Sequence, residues 1–228
     1  YKLGVASVKD FVSIYLETTG LNPYDPDGRI LACGSSVRNY TGFCTTKIGK
    51  LSDIFSRKDI LKIGHNIKFD MQWLWAKGYE FIGPIHDTLV AEHILNENTP
   101  SLGLKELAAQ YTDMGPYASE MEQTLSEVNG VMANVPLKIL TKYCAQDVDA
   151  TLRLRNRQLP KLKEEGLLPL FHLTMAGEMV IARAEFNGVK IDQQAHKELE
   201  KKYRKALIKL KDLLVEKGDP YLTNPRSS

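Results

Sequence analysis

Phe11-Val12-Ser13-Ile14-Tyr15-Leu16-Glu17 alternates as a buried β-strand does, and Thr18-Thr19-Gly20 with Asn22-Pro23 supplies the turn that ends it. A second strand is expected over residues 29–37, after the turn Asp25-Pro26-Asp27-Gly28, and a third over 42–46. Three early strands joined by short turns suggest an antiparallel meander. Residues 60–64 read as a short buried strand leading into a helix over 68–77, ended by Gly78. Ile85-His86-Asp87-Thr88 reads as a strand end and a cap, with Asp87 capping a helix over 88–95. Strands first, then strands alternating with helices, give an α/β fold with a mixed sheet.

Farther along, 102–111 is helical, and 112–136 reads as a loop-rich insertion broken by Gly115-Pro116 and Gly130. Helical periodicity returns over 137–154, where Ile139, Leu140, Tyr143, Cys144, Val148 and Leu152 trace one stripe. A boundary is expected near Leu159-Pro160, dividing the chain into domains 1–160 and 161–228. The second part holds a helix over 167–186, the turn Gly188-Val189-Lys190-Ile191-Asp192, and a long amphipathic helix over 193–216 closed by Gly218.

The 228 residues, 43% hydrophobic and 25% charged, suffice for one sizeable core plus an appended element. No apolar run approaches the roughly 20 residues that span a bilayer, and no secretory signal is visible, so no membrane partner is expected. Cys33, Cys44 and Cys144 show no CxxC spacing, which disfavours a disulfide framework or a zinc site and suggests a reducing, intracellular setting. A net charge of +2 does not mark a nucleic-acid binder by itself. The opening at Tyr1 and the uncapped ending at Ser228 read as a fragment of a longer, monomeric protein.

Tyr15 and Glu17, two apart on a strand, share a face. Tyr143 and Asp147, four apart on a helix, share another, whereas Asp149 lies about 200° round from Asp147 and cannot face the same place. Asp70 falls in a first helical turn, where free amides favour a carboxylate. Carboxylates gathered from three element ends repel unless cations neutralise them, and hard oxygen ligands suit Mg²⁺ or Mn²⁺.

Glu17-Thr18-Thr19-Gly20-Leu21, Gly64-His65-Asn66-Ile67-Lys68-Phe69-Asp70 and Tyr143-x-x-x-Asp147 resemble the three motifs of the 3′-5′ exonucleases with a ribonuclease H-like fold, in the subclass with a tyrosine in the third motif. His86-Asp87-Thr88-Leu89 and Ser101-Leu102-Gly103-Leu104-Lys105-Glu106-Leu107-Ala108 resemble the stretch between the second and third motifs in the proofreading domain of family A DNA polymerases. Residues 185–192, the following helix and Tyr221-Leu222-Thr223-Asn224-Pro225 look like the start of a family A polymerase domain.

That resemblance implies a ribonuclease H-like mixed sheet flanked by helices, followed by a C-terminal helical segment. It implies two-metal phosphodiester hydrolysis that releases nucleoside 5′-monophosphates from a single-stranded DNA 3′ end or primer-template, with a polymerase domain in cis. Carried onto this chain, it makes Glu17 and Asp147 ligands of the nucleophile-side metal, Asp70 an outer ligand of the second, and Tyr143 the group that orients the attacking water. Thr18, Leu21 and Asn66 would touch the terminal nucleotide.

Tyr15 departs from this pattern, because the first motif normally opens with an aspartate that bridges both metals. A phenol with an ordinary pKa near 10 is neutral at pH 7 and replaces a bridging carboxylate poorly. Weak or absent second-metal binding and impaired hydrolysis are therefore expected. Two alternatives stand beside this reading. One is a catalytically dead exonuclease fold that binds single-stranded DNA or buttresses a polymerase. The other is a stand-alone RNA 3′ exonuclease. The remaining features read plainly: His65 and His93 as surface or satisfied groups, Trp73 and Trp75 as packing, and the lysines between 197 and 211 as a solvated helix face.

Overall fold

The computed structural model describes residues 10–216; the expected closing Gly218 and the 221–225 segment lie outside them. Five strands form one sheet: β1 (Phe11–Thr18), β2 (Ile30–Ser36), β3 (Phe43–Thr45), β4 (Leu61–Gly64) and β5 (Ile85–Asp87), in the order β3-β2-β1-β4-β5. β1, β2 and β3 are the antiparallel meander that the turn residues predict, and β4 and β5 add parallel to β1. The helices are α1 (Ser52–Ser56), α2 (Ile67–Ala76), α3 (Thr88–Leu95), α4 (Leu104–Tyr111), α5 (Ser119–Glu127), α6 (Leu137–Glu164), α7 (Leu168–Asn187) and α8 (Gln193–Glu216).

Alternation along β1 sorts the core into two faces. Val12, Ile14 and Leu16 join Phe55, Ile67, Met71, Trp73 and Leu74 in the main apolar cluster. The odd positions turn to the other face, where α6 packs across β1, β2 and β3. There Tyr15 stands opposite Gly34 and Glu17 opposite Ala32 in the β1–β2 ladder. Two glycines set how closely α6 approaches. A side-chain carbon at Gly34 would lie 2.7 Å from Val148 Cγ1 and 2.8 Å from the Cys144 carbonyl, and one at Gly42 only 1.7 Å from the Ala145 carbonyl.

Residues 112–136 are less irregular than their breakers suggest. They contain α5 and a short 3₁₀ turn at Met132–Asn134. Met121, Leu125 and Val128 step by four and three and pack with Leu140 and Tyr143 of α6. Gly115 and Gly130 both take left-handed backbone angles, at +60° and +76°, and so punctuate the segment outside that helix rather than dissolving it.

α6 also runs past the boundary expected at Leu159-Pro160. Pro160 removes one backbone donor, but Leu162 beyond it is fully buried in the main cluster, and that packing carries the helix on to Glu164. The true stop is Gly166, at φ +70°: its N–H bonds the Lys163 carbonyl and the N–H of Leu167 bonds the Leu162 carbonyl, the paired bonds of a glycine-terminated helix. The described chain divides into two compact bodies later still, between Phe186 and Asn187. In the second body α8 follows Asp192, whose carboxylate accepts from the N–H groups of Gln194 and Ala195. No helix of the described residues is long and apolar enough to cross a membrane.

Candidate active site

The β4–α2 junction is built around Asp87. Its carboxylate accepts from the N–H groups of Asn66 at 3.0 Å, Ile67 at 2.8 Å and Leu89 at 2.8 Å, so it caps α3 as the sequence predicts and α2 as well. Asn66 takes a left-handed φ of 56°, which asparagine tolerates better than most residues, and this aims α2 at β1. Asp70, in the first turn of α2, therefore reaches the strand, where its Oδ1 accepts from the N–H of Leu16 at 2.8 Å.

A cleft of about 570 Å³ opens at this corner. Tyr15, Asn66, Asp70, Tyr143 and Asp147 line it, and Leu21 stands at its mouth, 87% exposed. α4 closes the far side with Leu104, Lys105 and Glu106. Two expected residues are placed differently. Glu17 is 4% exposed and buried off the cleft wall, and Thr18 is committed to the turn, donating its hydroxyl to the Gly20 carbonyl at 2.7 Å.

Tyr117 and Lys105 were not singled out by the sequence motifs. The Tyr117 hydroxyl donates to Asp147 Oδ1 at 2.6 Å, and its ring lies tilted beside Tyr143 with centroids 6.3 Å apart. Tyr117 sits in the segment read as loop, so nothing in its spacing pointed to it. Lys105 lies over the Tyr143 ring at 5.4 Å and pairs with Glu122 at 3.1 Å. Asp149 belongs elsewhere, as the helix geometry predicts: it accepts from the Tyr40 N–H and pairs with Arg153. His65 is a satisfied partner, held between Thr88 Oγ1 at 2.9 Å and the Leu102 carbonyl at 2.8 Å.

The electrostatics are those of buried acids. Burial first, then the Asp147 charge, pushes Glu17 up to about 9. Asp147 rises to about 7, chiefly through burial, with the Tyr117 and Tyr143 phenols pulling the other way. Asp70 is raised by burial against the N–H bond from Leu16. The Tyr15 phenol is itself held neutral, by burial and then by the charges of Asp147, Tyr143, Glu17 and Asp70. Tyr15 lines the cleft together with Asp70, Tyr143 and Asp147.

The donor chemistry fits a hard divalent cation. Glu17 Oε1 and Asp147 Oδ2 are buried with no hydrogen-bond partner, which is costly unless something positive meets them. A complete cage is lacking: among the described residues, no three Asp, Glu, His or Cys side chains are arranged to hold an ion. Tyr15 lines the cleft beside Asp70 and Asp147 where the sequence motif leads one to expect a further carboxylate.

Residues 4–163 match the 3′-5′ exonuclease family of DNA polymerase A. The chain belongs to that exonuclease family. Over 222 residues this exonuclease domain is 31% identical to the DNA polymerase of Escherichia phage T5, covering 87% of this chain and 26% of that protein. Over 198 residues it is 28% identical to DNA polymerase I of Borreliella burgdorferi, covering 81% of this chain and 21% of that protein. The chain thus spans about a quarter of the length of these relatives. Brucella melitensis NrnC, solved with bound Mg²⁺, superposes with a TM-score of 0.65 at 22% identity, over 80% of this chain and 90% of that one. That likeness establishes the ribonuclease H-like architecture. The family match ends within α6, close to the boundary expected at 160, while the compact body continues to Phe186.

Proposed function

We propose that this exonuclease domain is the proofreading region of a family A DNA polymerase, followed from about residue 161 by the first helices of the polymerase domain, and that Tyr15 impairs its hydrolysis. Its partners would be a single-stranded DNA 3′ end or primer-template and the polymerase domain in cis, in a monomer of a reducing intracellular compartment. The observation that carries the reading is Tyr15 lining the cleft beside Asp70 and Asp147, with the Glu17 carboxyl buried behind that wall.

In this reading Glu17 and Asp147 would hold one Mg²⁺ or Mn²⁺ through their partnerless oxygens, and Asp70 would serve a second site only as an outer ligand. Bound there, the cation would make water nucleophilic at neutral pH and offset charge on the phosphate. The chain does the rest. Tyr143, one turn before Asp147 on the cleft wall, orients the attacking water with its hydroxyl. Asn66 and Leu21 contact the terminal nucleotide from the junction and the mouth, with Thr18 supporting the turn that carries Leu21. Tyr117 fixes the Asp147 carboxylate through Oδ1. The product would be a nucleoside 5′-monophosphate. Tyr15 equally favours a second reading, an exonuclease fold kept to bind single-stranded ends or to buttress the polymerase without cutting.

Shortening of 5′-labelled single-stranded DNA in Mg²⁺ or Mn²⁺ tests both. Restoring a carboxylate with Tyr15→Asp should speed hydrolysis about 10²- to 10³-fold, because metal stabilisation of charge supplies several kcal/mol and each 1.4 kcal/mol is about tenfold. Asp147→Ala should remove whatever activity remains. Equal, robust degradation by the unaltered protein and Tyr15→Asp would overturn the impaired-site reading. Binding of 3′ ends with no cutting in either form would favour the scaffold.

A further inference from the structure

The joint between β3 and α6 holds two thiols that the hydrolytic site does not use. Cys44 lies in β3, directly opposite Gly34 across the β2–β3 ladder, so its side chain leaves the sheet on the Gly34 face. Cys144 enters that same space from α6, where a side-chain carbon at Gly34 would meet its Sγ at 3.1 Å. Gly42, two residues before Cys44, lets the strand press against the Ala145 carbonyl and so brings the backbones close at this level. Cys44 packs against the cluster that contains Cys144 and Tyr143. Both thiols are free; Cys144 is buried and Cys44 half-buried. The Cys144 thiol donates to the Tyr15 carbonyl at 3.8 Å, and its nearness to Cys44 holds the Cys44 thiol below its ordinary pKa. Cys33 does not compete, because it points to the opposite face, fully buried in the main apolar cluster.

We propose that Cys44 and Cys144 are a redox-modification site: a dithiol that a peroxide converts reversibly into a disulfide stapling β3 to α6, next to Tyr143. The half-buried member is the one a small oxidant reaches. The Cys44 thiolate attacks one peroxide oxygen, so that an S–O bond forms, the O–O bond breaks and hydroxide leaves. The Cys144 sulfur then attacks the Cys44 sulfenic acid: the S–S bond forms, the S–O bond breaks, and the proton of Cys144 leaves with hydroxide as water. In sum, two thiols and one hydrogen peroxide give one disulfide and two waters. The staple closes the joint from which Tyr143 and Asp147 project, so it would fix the cleft wall in its reduced-state position.

The test is oxidation of the folded, full chain with hydrogen peroxide, followed by intact-mass measurement and tryptic mapping without reductant. The expected result is loss of two hydrogens per chain and a linked pair of peptides, residues 39–47 joined to 143–153, which dithiothreitol separates. A Cys144→Ala variant should stop at the Cys44 sulfenic acid and be trapped there by dimedone. A link through Cys33 in residues 30–38, conversion of Cys44 to sulfinic acid without any link, or thiols that survive peroxide unchanged would each overturn the proposal.

Discussion

Replacing Glu17 with glutamine should stabilise the metal-free protein, and the structure sets the size of the effect. Glu17 is 4% exposed, beside Asp147, with one oxygen unpartnered, and its pKa rises from 4.5 to about 9. Between those values the folded chain holds a proton that the unfolded chain has released, so stability increases as pH falls through the window. At pH 7 the unfolded carboxyl is ionised and the folded one is not. The two and a half pH units between 4.5 and 7 correspond to about 3 kcal/mol of folding free energy spent on taking up that proton. Glutamine has no proton to take up. Urea unfolding in EDTA, followed by tryptophan fluorescence at pH values from 4.5 to 8.5, measures the difference. Glu17→Gln should be the more stable form by up to about 3 kcal/mol at pH 7, with the gap closing toward pH 4.5. Millimolar Mn²⁺ should narrow the gap by stabilising only the carboxylate form. A variant less stable than the parent at pH 7 in EDTA, or a gap that does not vary with pH, would refute the reasoning.

Other expectations follow from single contacts. Tyr117→Phe removes the donor to Asp147 Oδ1 and should cost about 1–3 kcal/mol in urea unfolding while leaving the circular dichroism spectrum unchanged. Gly42→Ala drives a methyl into the Ala145 carbonyl and should cost about 3 kcal/mol or more, read as a lowered melting temperature, with Gly20→Ala, which meets nothing within 4 Å, as the mild control. His86, buried against Phe171 with centroids 4.6 Å apart, is pushed down to about 3 by burial, so the unfolded chain binds its proton first as pH falls below about 6.5. His86→Leu should therefore gain about 2 kcal/mol relative to the parent between pH 7 and pH 5 in the same unfolding assay, and an unchanged difference would count against a neutral buried imidazole.

Local pattern made much of this architecture legible. The β1 alternation, the Asp25-Pro26-Asp27-Gly28 turn and the Asp87 cap each depend on residues a few positions apart, and the structure places β1, β2 and α3 within a residue or two of where those signals put them. The i, i+4 relation of Tyr143 and Asp147 likewise puts both on one face of α6, the face that lines the cleft, with Asp149 turned away. What stayed hidden depends on distant partners. Nothing around Pro160 announces that Leu162 is anchored in the main cluster, so the periodicity is legible only to Leu154 and a boundary is expected at Leu159-Pro160. α5 exists because Met121 and Leu125 meet α6, and Tyr117 matters because of a carboxylate thirty positions away. Glu17 shows the same limit from the other side: its strand face was readable, but its depth behind the cleft wall was not.

Asp87 ties together more of the cleft than its place at the end of a three-residue strand suggests. One carboxyl group serves the first turns of both α2 and α3, and each helix contributes a cleft neighbour at that spot, Asn66 and Leu89. Neither helix can tilt without straining the bonds of the other, so this side of the cavity behaves as a single rigid jaw. The exposed Leu21 at the mouth, by contrast, is held by no such paired bonds among the described residues, so shape changes in the cavity are expected there rather than at the Asp87 junction.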